Sequence, residues 1–508
     1  MSRPVLIIDF GAQYAQLIAR RVREIGFYSE IVPCERAAEA IAARRPQALI
    51  LTGGPDSVTA EGAKALPPAV LSSGLPTLGI CYGMHLLAHA LGGEVTSGQV
   101  REYGRTDLSS EPSALFTGLP RYLTVWMSHG DTVMRPPAGF KAVGRTRTVP
   151  VAAMEDRERR LFAVQFHPEV AHTDRGADML RNFLVIGAGL TPDWTMGDAI
   201  ALAVERVKEE VGSGRAIVAL SGGVDSAVAA ALVHRAIGGR LQAVFVDHGL
   251  LRQGEADLVE AGFTRDYPLP FLRVNAEERF LAGLAGVSDP EEKRRRIGAM
   301  FIDVFKEAAE RLPGVEFLVQ GTLYPDVIES GGGQAAVIKS HHNVGGLPAE
   351  IGFRLIEPLR DLFKDEVRQI GRELGLPERL VDRQPFPGPG LAVRVVGEVS
   401  PERLALARAA DAIVTEEIER SEARRDLWQY FAVLTGARSV GVMGDGRTYL
   451  EVVAIRAVGS ADGMTADWGR LPAPLLERMA NRIVTEVAGV GRVVYDITSK
   501  PPGTIEWE

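Results

Sequence analysis

One short string constrains the fold more than any other feature of the sequence. The apolar run Ala216–Leu220 passes directly into Ser221-Gly-Gly-Val-Asp-Ser226, and a helical pattern follows over Ala227–Ile237. Serine and glycine at such a turn let backbone N–H groups approach an anion, and the N-terminus of the helix adds a favourable field. A strand, a small-residue loop and a helix in this order predict one unit of a parallel α/β sheet.

The same alternation of strand and helix runs through most of the chain. Apolar runs such as Val5–Asp9, Ala48–Thr52 and Thr77–Ile80 alternate with helical patterns in the N-terminal part, and the alternation resumes after residue 215. We therefore predict an α/β fold with two open, doubly wound, mostly parallel sheets, followed by a C-terminal α+β part.

Glycine- and proline-rich stretches mark the expected domain boundaries. Gly187-Ala-Gly-Leu-Thr-Pro192 separates the two α/β parts, and Gln384-Pro-Phe-Pro-Gly-Pro-Gly390 can neither continue a helix nor pair as a central strand. The predicted domains span residues 1–190, 191–384 and 385–508.

Composition and charge argue against several functional classes. The 508 residues are 46% hydrophobic and 24% charged, as in ordinary globular proteins. No apolar run approaches the roughly 20 residues that cross a bilayer, so we expect no membrane contact. The N-terminal residues lack the apolar segment and cleavage site of a signal peptide, so we expect a cytoplasmic protein. A formal charge of −8 gives no general attraction for nucleic acid, which we do not expect as a partner. Two cysteines are too few for a disulfide framework.

One of these cysteines stands at a second junction between strand and helix. Leu78-Gly-Ile-Cys81-Tyr-Gly83-Met-His85 places Cys81 after an apolar strand and before a helix. A sharp turn of this kind projects a nucleophile, and the N-terminus of the following helix favours a thiolate. A small buried core cysteine is the alternative.

A candidate base with an orienting carboxylate follows far downstream. Ala163-Val-Gln-Phe-His167-Pro-Glu169 ends another apolar run, and side chains two residues apart at a strand end project to the same side. We therefore expect Glu169 to orient His167 and His167 to deprotonate Cys81. Thr52-Gly53-Gly54-Pro55 closes a third strand, and its backbone N–H groups suit an oxyanion. Surface turns are the alternative for both strings.

Together these strings resemble the class I glutamine amidotransferase family over about residues 3–185. The resemblance implies that Cys81 is the nucleophile, His167 its base and Glu169 the orienting carboxylate. It also implies an oxyanion and glutamine-binding set made of Gly53, Gly54, Tyr82 and His85. The family commonly has glutamine where this chain has His85.

The string at 221–226 resembles the signature of the ATP pyrophosphatase family, whose members form an adenylate and release pyrophosphate. The lysine of a Gly-x-x-x-x-Gly-Lys-Ser/Thr loop does not follow, which disfavours transfer of the γ-phosphate. The resemblance implies that ATP, with Mg²⁺ on its phosphates, binds Ser221, Gly222, Gly223, Val224, Asp225, Ser226 and Val246. Asp326 ends a strand at the same sheet edge and is a candidate for the metal environment; a solvated loop aspartate is the alternative.

Three further strings indicate the acceptor substrate. They are the polar, glycine-rich segment Ile338–Gly346, the proline-rich segment Arg383–Gly390 and the segment Lys500–Glu508. All three resemble the glutamine-hydrolysing GMP synthetases, and this resemblance runs essentially from end to end. It implies that glutamine, ATP and XMP are the substrates, and that the products are GMP, AMP, pyrophosphate and glutamate.

The same resemblance implies further site residues and an assembly. Lys339 and Lys364 would contact the ATP phosphates, and the C-terminal part would form a homodimer. The implied XMP site consists of Arg294, Pro387, Gly388, Lys500, Ile505 and Glu506. The segment 338–346 suits a mobile lid over phosphates; its adjacent His341 and His342 lack the usual spacing of metal ligands.

Two alternatives stay open. Another adenylating synthetase that uses ammonia, such as one that makes NAD, is the nearest rival, although the C-terminal string and the proline-rich segment argue against it. The other is a synthetase that uses free ammonia, with an amidotransferase half reduced to a regulatory binding module; His85 motivates this second reading.

Overall fold

The computed structural model describes the chain except for residues 1–2, 13, 56, 325, 327–351, 444–445 and 461–464. The described chain divides into two compact units, Met1–Ala199 and Ile200–Glu508. The three predicted domains, with ends at 190 and 384, stay a prediction. Within the described residues, every helix is too short or too polar to cross a bilayer.

The first unit is built on one sheet. Its strands, in chain order, are β1 (Val5–Asp9), β2 (Ser29–Pro33), β3 (Ala48–Leu51), β4 (Thr77–Ile80), β5 (Glu94–Ser110), β6 (Tyr122–Arg135), β7 (Lys141–Arg145), β8 (Ala153–Asp156) and β9 (Leu161–Val164). They lie in the order β2-β1-β3-β4-β9-β8-β7-β5-β6. The pairs from β2 to β9 are parallel, and those from β9 to β6 are antiparallel.

Burial explains which strands of this sheet could be read from the sequence. β3, β4 and the first four residues of β1 are buried throughout, as expected for central parallel strands with helices on both faces. β6 instead alternates between exposed and buried residues over most of its length, so it shows no continuous apolar run. The helices of this unit are α1 (Ala15–Glu24), α2 (Ala37–Arg44), α3 (Pro68–Ser72), α4 (Tyr82–Ala90) and α5 (Gly176–Asn182). Helix α6 (Met196–Val211) spans the division between the units.

The second unit contains a parallel sheet and a smaller sheet. The strands of the parallel sheet are β10 (Arg215–Leu220), β11 (Leu241–Asp247), β12 (Phe271–Asn275), β13 (Val315–Val319) and β14 (Arg354–Ile356). They lie in the order β12-β11-β10-β13-β14, and all neighbours are parallel. Their helices are α7 (Val224–Ile237), α8 (Glu255–Ala261), α9 (Glu277–Leu284), α10 (Pro290–Glu310), α11 (Lys364–Glu373) and α12 (Glu378–Val381).

The C-terminal sheet is mixed. Its strands are β15 (Gln429–Met443), β16 (Gly446–Gly459), β17 (Asp467–Trp468) and β18 (Val490–Asp496), and its helices are α13 (Pro401–Glu419) and α14 (Ala473–Glu486). β16 pairs antiparallel with β15 and parallel with β18. One hydrophobic core runs from Ile217 and Val244 of the parallel sheet to Leu404 of α13 and Tyr430 of β15. The predicted fold class, with two α/β sheets and a C-terminal α+β part, is confirmed.

Candidate functional site

Three neighbouring parallel strands end at the same edge of the first sheet. β3, β4 and β9 pair in that order, and Gly53, Cys81 and His167 lie in the loops that follow them. Because the carboxyl ends of parallel strands meet at one edge, the strand order brings the three residues together. A Cβ atom on Gly53 would lie 3.5 Å from Cε1 of His167 and 3.8 Å from Cβ of Cys81.

Cys81 occupies a strained turn between β4 and α4. Its φ of 54° and ψ of −106° lie outside the regions that non-glycine residues normally adopt. A Cβ atom on Gly79 would lie 2.5 Å from the carbonyl oxygen of Gly83, and one on Gly83 would lie 2.5 Å from that of Leu51. Both glycines are therefore needed for the helix to begin so close to the sheet, which fixes the direction of the cysteine side chain.

His167 is oriented on both sides of its ring. Its Nδ1 lies 2.7 Å from Oε1 of the buried Glu169, and a hydrogen bond links the ring to Cys81. Burial lowers the pKa of His167, but the hydrogen bonds to Cys81 and Glu169, with their charges, raise it to about 11. The imidazole is therefore a cation at neutral pH. A cation beside the sulfur stabilises a thiolate.

The predicted oxyanion residues lie beside this turn. Gly54 lies against the side chain of Tyr82: a Cβ atom on Gly54 would lie 3.0 Å from the tyrosine ring. The hydroxyl of Tyr82 donates to the carbonyl of Lys64 at 2.7 Å, and its ring contacts Phe10 edge-on at 5.9 Å between centroids. Tyr82 is thus held firmly at the first position of α4, next to Cys81.

His85 lies on the buried side of α4. Its Nε2 lies 2.8 Å from Oε1 of Gln165, and only 3% of His85 is exposed. Burial lowers the pKa of His85 to about 4, so the ring is neutral at pH 7. The amide nitrogen of Gln165 lies 3.9 Å from the sulfur of Cys81. The structure therefore connects His85 to the cysteine through Gln165, and its predicted contact with glutamine stays a prediction.

A second candidate site lies in the second unit, at the carboxyl end of β10. The strand order reverses there, since β11 lies on one side of β10 and β13 on the other. The loop holds its own shape: Oγ of Ser226 accepts from the Ser221 N–H at 3.2 Å and donates to the Gly223 carbonyl at 3.0 Å. Gly222 has a φ of 76°, which favours glycine. Val224, Asp225 and Ser226 form the first turn of α7.

Two cations reach this loop from distant parts of the chain. Nζ of Lys364, the first residue of α11, lies 2.6 Å from Oδ1 of Asp225. Nη1 of Arg383 donates to the carbonyl of Gly222 at 2.6 Å, and its guanidinium also pairs with the buried Glu255. The loop is therefore flanked by positive charge although the loop itself contains none.

The remaining predicted ATP and metal residues are only partly placed. Val246 lies buried in β11, and the carboxylate of Asp326 accepts from the N–H of Leu323 at 2.9 Å. Lys339 and the predicted lid at 338–346 lie outside the described residues. In the described parts of the chain, no group of three or more His, Cys, Asp or Glu side chains is arranged to hold a metal ion.

The C-terminal segment packs against other parts of the second unit, to which it belongs. Glu506 accepts two hydrogen bonds, at 3.1 and 3.0 Å, from the fully buried Arg394. The amide of Gln429 donates to Glu506 at 2.9 Å and to the carbonyl of Pro385 at 3.2 Å. Ile505 packs against the small core cluster around Phe431. The C-terminal segment and the proline-rich segment therefore meet at Gln429.

The predicted XMP residues gather around this segment. Arg294 donates to the backbone carbonyl of Glu508. Pro387 and the exposed Gly388 belong to the proline-rich segment that Gln429 joins to Glu506. Lys500 exchanges backbone hydrogen bonds with Ala466 at the start of the segment. Arg294 and the proline-rich segment thus both lie beside the C-terminal segment, which contains Lys500, Ile505 and Glu506.

Comparison with known proteins identifies relatives that are similar over essentially the whole chain. A family described as glutamine amidotransferase class-I matches residues 6–186, and one described as GMP synthase C terminal domain matches residues 416–507. A GMP synthase [glutamine-hydrolyzing] of Parafrankia sp. is 60% identical, over 99% of this chain and 96% of its own. Those of Carboxydothermus hydrogenoformans and Thermobifida fusca are 56% and 58% identical; they cover 100% and 99% of this chain and 100% and 98% of their own.

The chain belongs to the glutamine-hydrolysing GMP synthase family. The predicted family is therefore confirmed, as is the enzyme class, a ligase with glutamine as the amido donor.

Two residues that contact the candidate sites were not predicted from the sequence. Gln165 stands two residues before His167, so the alternation of side chains along a strand end was a usable signal. Arg383 was noted only as the start of the proline-rich segment. Its contact with Gly222 spans 161 residues of sequence, and no local pattern predicts it.

Proposed function

We propose that this enzyme converts XMP to GMP with ammonia from glutamine, while ATP is cleaved to AMP and pyrophosphate. The observation that carries the proposal is the hydrogen-bonded set Cys81–His167–Glu169 at the shared edge of three parallel strands. Membership of the GMP synthase family over the full length supports the choice of acceptor.

At the first site, the thiolate of Cys81 attacks the carbon of the glutamine side-chain amide. The oxyanion that forms is stabilised by the backbone N–H groups of Gly53 and Tyr82. His167, a cation at neutral pH, gives its proton to the nitrogen as the C–N bond breaks and ammonia leaves. The neutral imidazole then takes a proton from water, and hydroxide opens the thioester to release glutamate and regenerate the thiolate.

At the second site, the C2 oxygen of XMP attacks the α-phosphorus of ATP. The bond to the bridging oxygen breaks, pyrophosphate leaves and adenyl-XMP forms. Ammonia then attacks C2, AMP leaves with the C2 oxygen, and GMP results. The loop Ser221–Ser226 binds the β- and γ-phosphates through backbone N–H groups and hydroxyls, at the N-terminus of α7.

The cations beside the loop have separate roles in this proposal. Lys364 leaves Asp225 to contact the phosphates, since the pair is part-exposed and such pairs contribute only about 0–1 kcal/mol. Lys339 would join it from the segment outside the described residues. Arg383 holds the carbonyl of Gly222, so the N–H of Gly223, which lies in the same peptide plane, points in the opposite direction.

Mg²⁺ is proposed to enter with ATP. The donors at the loop are carboxylate and hydroxyl oxygens, including those of Asp225 and Ser221, which is the ligand class that Mg²⁺ prefers. The described side chains form no ready cluster for a metal ion, so the phosphates would supply most of its ligands. When bound, the ion neutralises phosphate charge; Asp326 is a further candidate for its surroundings.

The XMP site is proposed where the proline-rich and C-terminal segments meet. Arg294 and Lys500 would supply positive charge for the XMP phosphate. Pro387 and Gly388 offer a rigid backbone, and Ile505 and Glu506 border the purine.

We further propose a cytoplasmic homodimer. Val440 and Tyr449 face each other across β15 and β16 and are 58% and 56% exposed. Adjacent exposed apolar side chains mark association surfaces. Both cysteines are free thiols, as is usual in a reducing compartment. Sedimentation of the wild type and of Tyr449→Asp tests the assembly: a monomeric wild type, or a dimeric variant, contradicts it.

A product assay tests the main proposal. The purified chain is incubated with ATP, Mg²⁺, XMP and either glutamine or ammonium, and GMP, AMP, pyrophosphate and glutamate are measured together. We expect equal amounts of GMP, AMP and pyrophosphate with either nitrogen source. Formation of ADP and orthophosphate would contradict the proposal, as would amination of deamido-NAD in place of XMP.

A further inference from the structure

Two neighbours of Cys81 favour opposite states of its sulfur. The carbonyl of Ser128 lies 3.6 Å from Sγ and accepts a hydrogen bond from the thiol. The amide nitrogen of Gln165 lies 3.9 Å from Sγ and is a donor. A donor stabilises the charged form of an acidic group, so Gln165 favours the thiolate. This effect requires a fixed amide, because turning the amide over would place its oxygen against the sulfur.

His85 fixes the orientation of that amide. Its Nε2 lies 2.8 Å from Oε1 of Gln165, and a carbonyl oxygen only accepts, so the ring nitrogen donates. The bonded oxygen and the NH₂ group belong to one planar amide. A donor at Nε2 therefore decides which end faces Cys81. Gln165 is fully buried and His85 is 3% exposed, which leaves little access for competing water.

We infer that His85 and Gln165 form a hydrogen-bonded pair that presents an amide N–H to the sulfur of Cys81. The inference rests on the proposed function, in which Cys81 acts as a thiolate. Both residues are positioning residues, and neither has to touch glutamine. A glutamine at position 85, which the family resemblance implies, also carries an N–H donor, so histidine preserves the donor at this position.

Other titratable groups lie near Cys81 or near the pair. His167, held by Glu169, is hydrogen-bonded to Cys81, and Asp131 and His129 of β6 act electrostatically on His85. Nε2 of His129 lies 3.6 Å from Glu102 of β5, and burial lowers the pKa of His129. All of these groups stay unchanged in the variants below, so a shifted pH profile reports on the pair.

The test is the pH dependence of Cys81 alkylation by iodoacetamide in the full-length protein, with peptide mass spectrometry to separate Cys81 from Cys34. His85→Leu removes the donor, and Gln165→Met removes the amide at similar volume. We expect each variant to move the midpoint of the profile upward by about half to one pH unit. Glutamine hydrolysis at pH 7 should fall by about three- to tenfold. His85→Gln keeps a donor, so the midpoint of its alkylation profile should lie at that of the wild type.

A double variant shows whether the two residues act through one another. If they form a unit, His85→Leu in the Gln165→Met background moves the midpoint no further than Gln165→Met alone. Additive shifts, or a wild-type profile in Gln165→Met, overturn the inference. Should His85→Leu not fold, Gln165→Met and His85→Gln still decide the question. A wild type that is alkylated at Cys81 but does not hydrolyse glutamine would contradict the proposed function instead.

Discussion

The two candidate sites are organised differently. In the first unit, the side chains around Cys81 are fixed by other side chains: Glu169 holds His167, and His85 holds Gln165. In the second unit, the loop at 221–226 is shaped by its own backbone and hydroxyls. The two cations described beside that loop are paired with carboxylates of the protein.

The difference follows from the chemistry proposed for each site. A covalent nucleophile needs its proton acceptor and its charge state set before the substrate arrives, and buried hydrogen bonds set both. An anion site holds cations that would repel one another without a ligand, so pairing them with carboxylates stabilises the empty protein. Lys364 and Asp225 are part-exposed, so a phosphate can replace that carboxylate at low cost.

The variant with the largest expected effect should impair the reaction at the first site and leave the second site unaffected. Cys81→Ala removes the nucleophile, and we expect glutamine-driven GMP formation to fall by at least about 10³-fold. Turnover with ammonium should stay near that of the wild type, because the second site is unchanged. The measurement is GMP formation with each nitrogen source at the same ATP and XMP concentrations.

Cys34→Ala is the matched control, since Cys34 is the other buried cysteine and does not belong to the hydrogen-bonded set Cys81–His167–Glu169. Its glutamine-driven rate should equal that of the wild type. If glutamine-driven turnover survives in Cys81→Ala, the assigned nucleophile is wrong. A wild type that makes GMP from ammonium but not from glutamine would instead make the first unit a regulatory module.

The second prediction concerns a variant that should impair the ATP-dependent reaction and leave glutamine hydrolysis unchanged. Lys364→Met removes a charge that is proposed to move from Asp225 to the ATP phosphates. We expect kcat/KM for ATP to fall by about 10²-fold in the ammonium-driven reaction. Glutamine hydrolysis by the first unit, measured without ATP, should not change. An unaltered kcat/KM for ATP would show that Lys364 serves only its pair with Asp225.

Much of this comparison was visible in the sequence. The bounds of Val5–Asp9 and Thr77–Ile80 were predicted as the structure has them, because each is a mostly apolar run that ends at a polar residue or a turn. Cys81 and His167 were predicted because each directly follows such a run. Parallel strand order then places them at one edge.

What the sequence could not show depends on folding. The hairpin of β5 and β6 was missed because β6 alternates between exposed and buried residues over most of its length and leaves no continuous apolar run. Arg383 and Gly222 are brought together by the packing of distant segments. The hydrogen bond from His85 to Gln165 depends on how a helix face meets a neighbouring strand end, which residue type alone does not determine.

The third prediction tests the fixed charge of the first site. Glu169→Gln removes the carboxylate that helps to raise the pKa of His167 to about 11. Because this charge favours the imidazolium, its loss lowers the pKa. The alkaline limb of glutamine hydrolysis should therefore move to lower pH, with a rate about tenfold lower at pH 7. Ammonium-driven synthesis should keep its profile. An alkaline limb that does not move would mean that Glu169 orients His167 without affecting its pKa.

The smallest expected effect concerns an arginine that contacts the loop at 221–226. Arg383 donates to the Gly222 carbonyl and pairs with Glu255 at the same time, and its guanidinium offers several donors for these contacts. Arg383→Lys keeps the charge but replaces this planar group, so we expect KM for ATP to rise by about three- to fivefold while kcat changes little. Arg379→Lys, which alters an arginine paired with Asp266, is the matched control and should leave KM unchanged. Because the loop is proposed to position phosphates through its backbone, a change in kcat with an unaltered KM would place Arg383 at the reacting atoms instead of behind the loop.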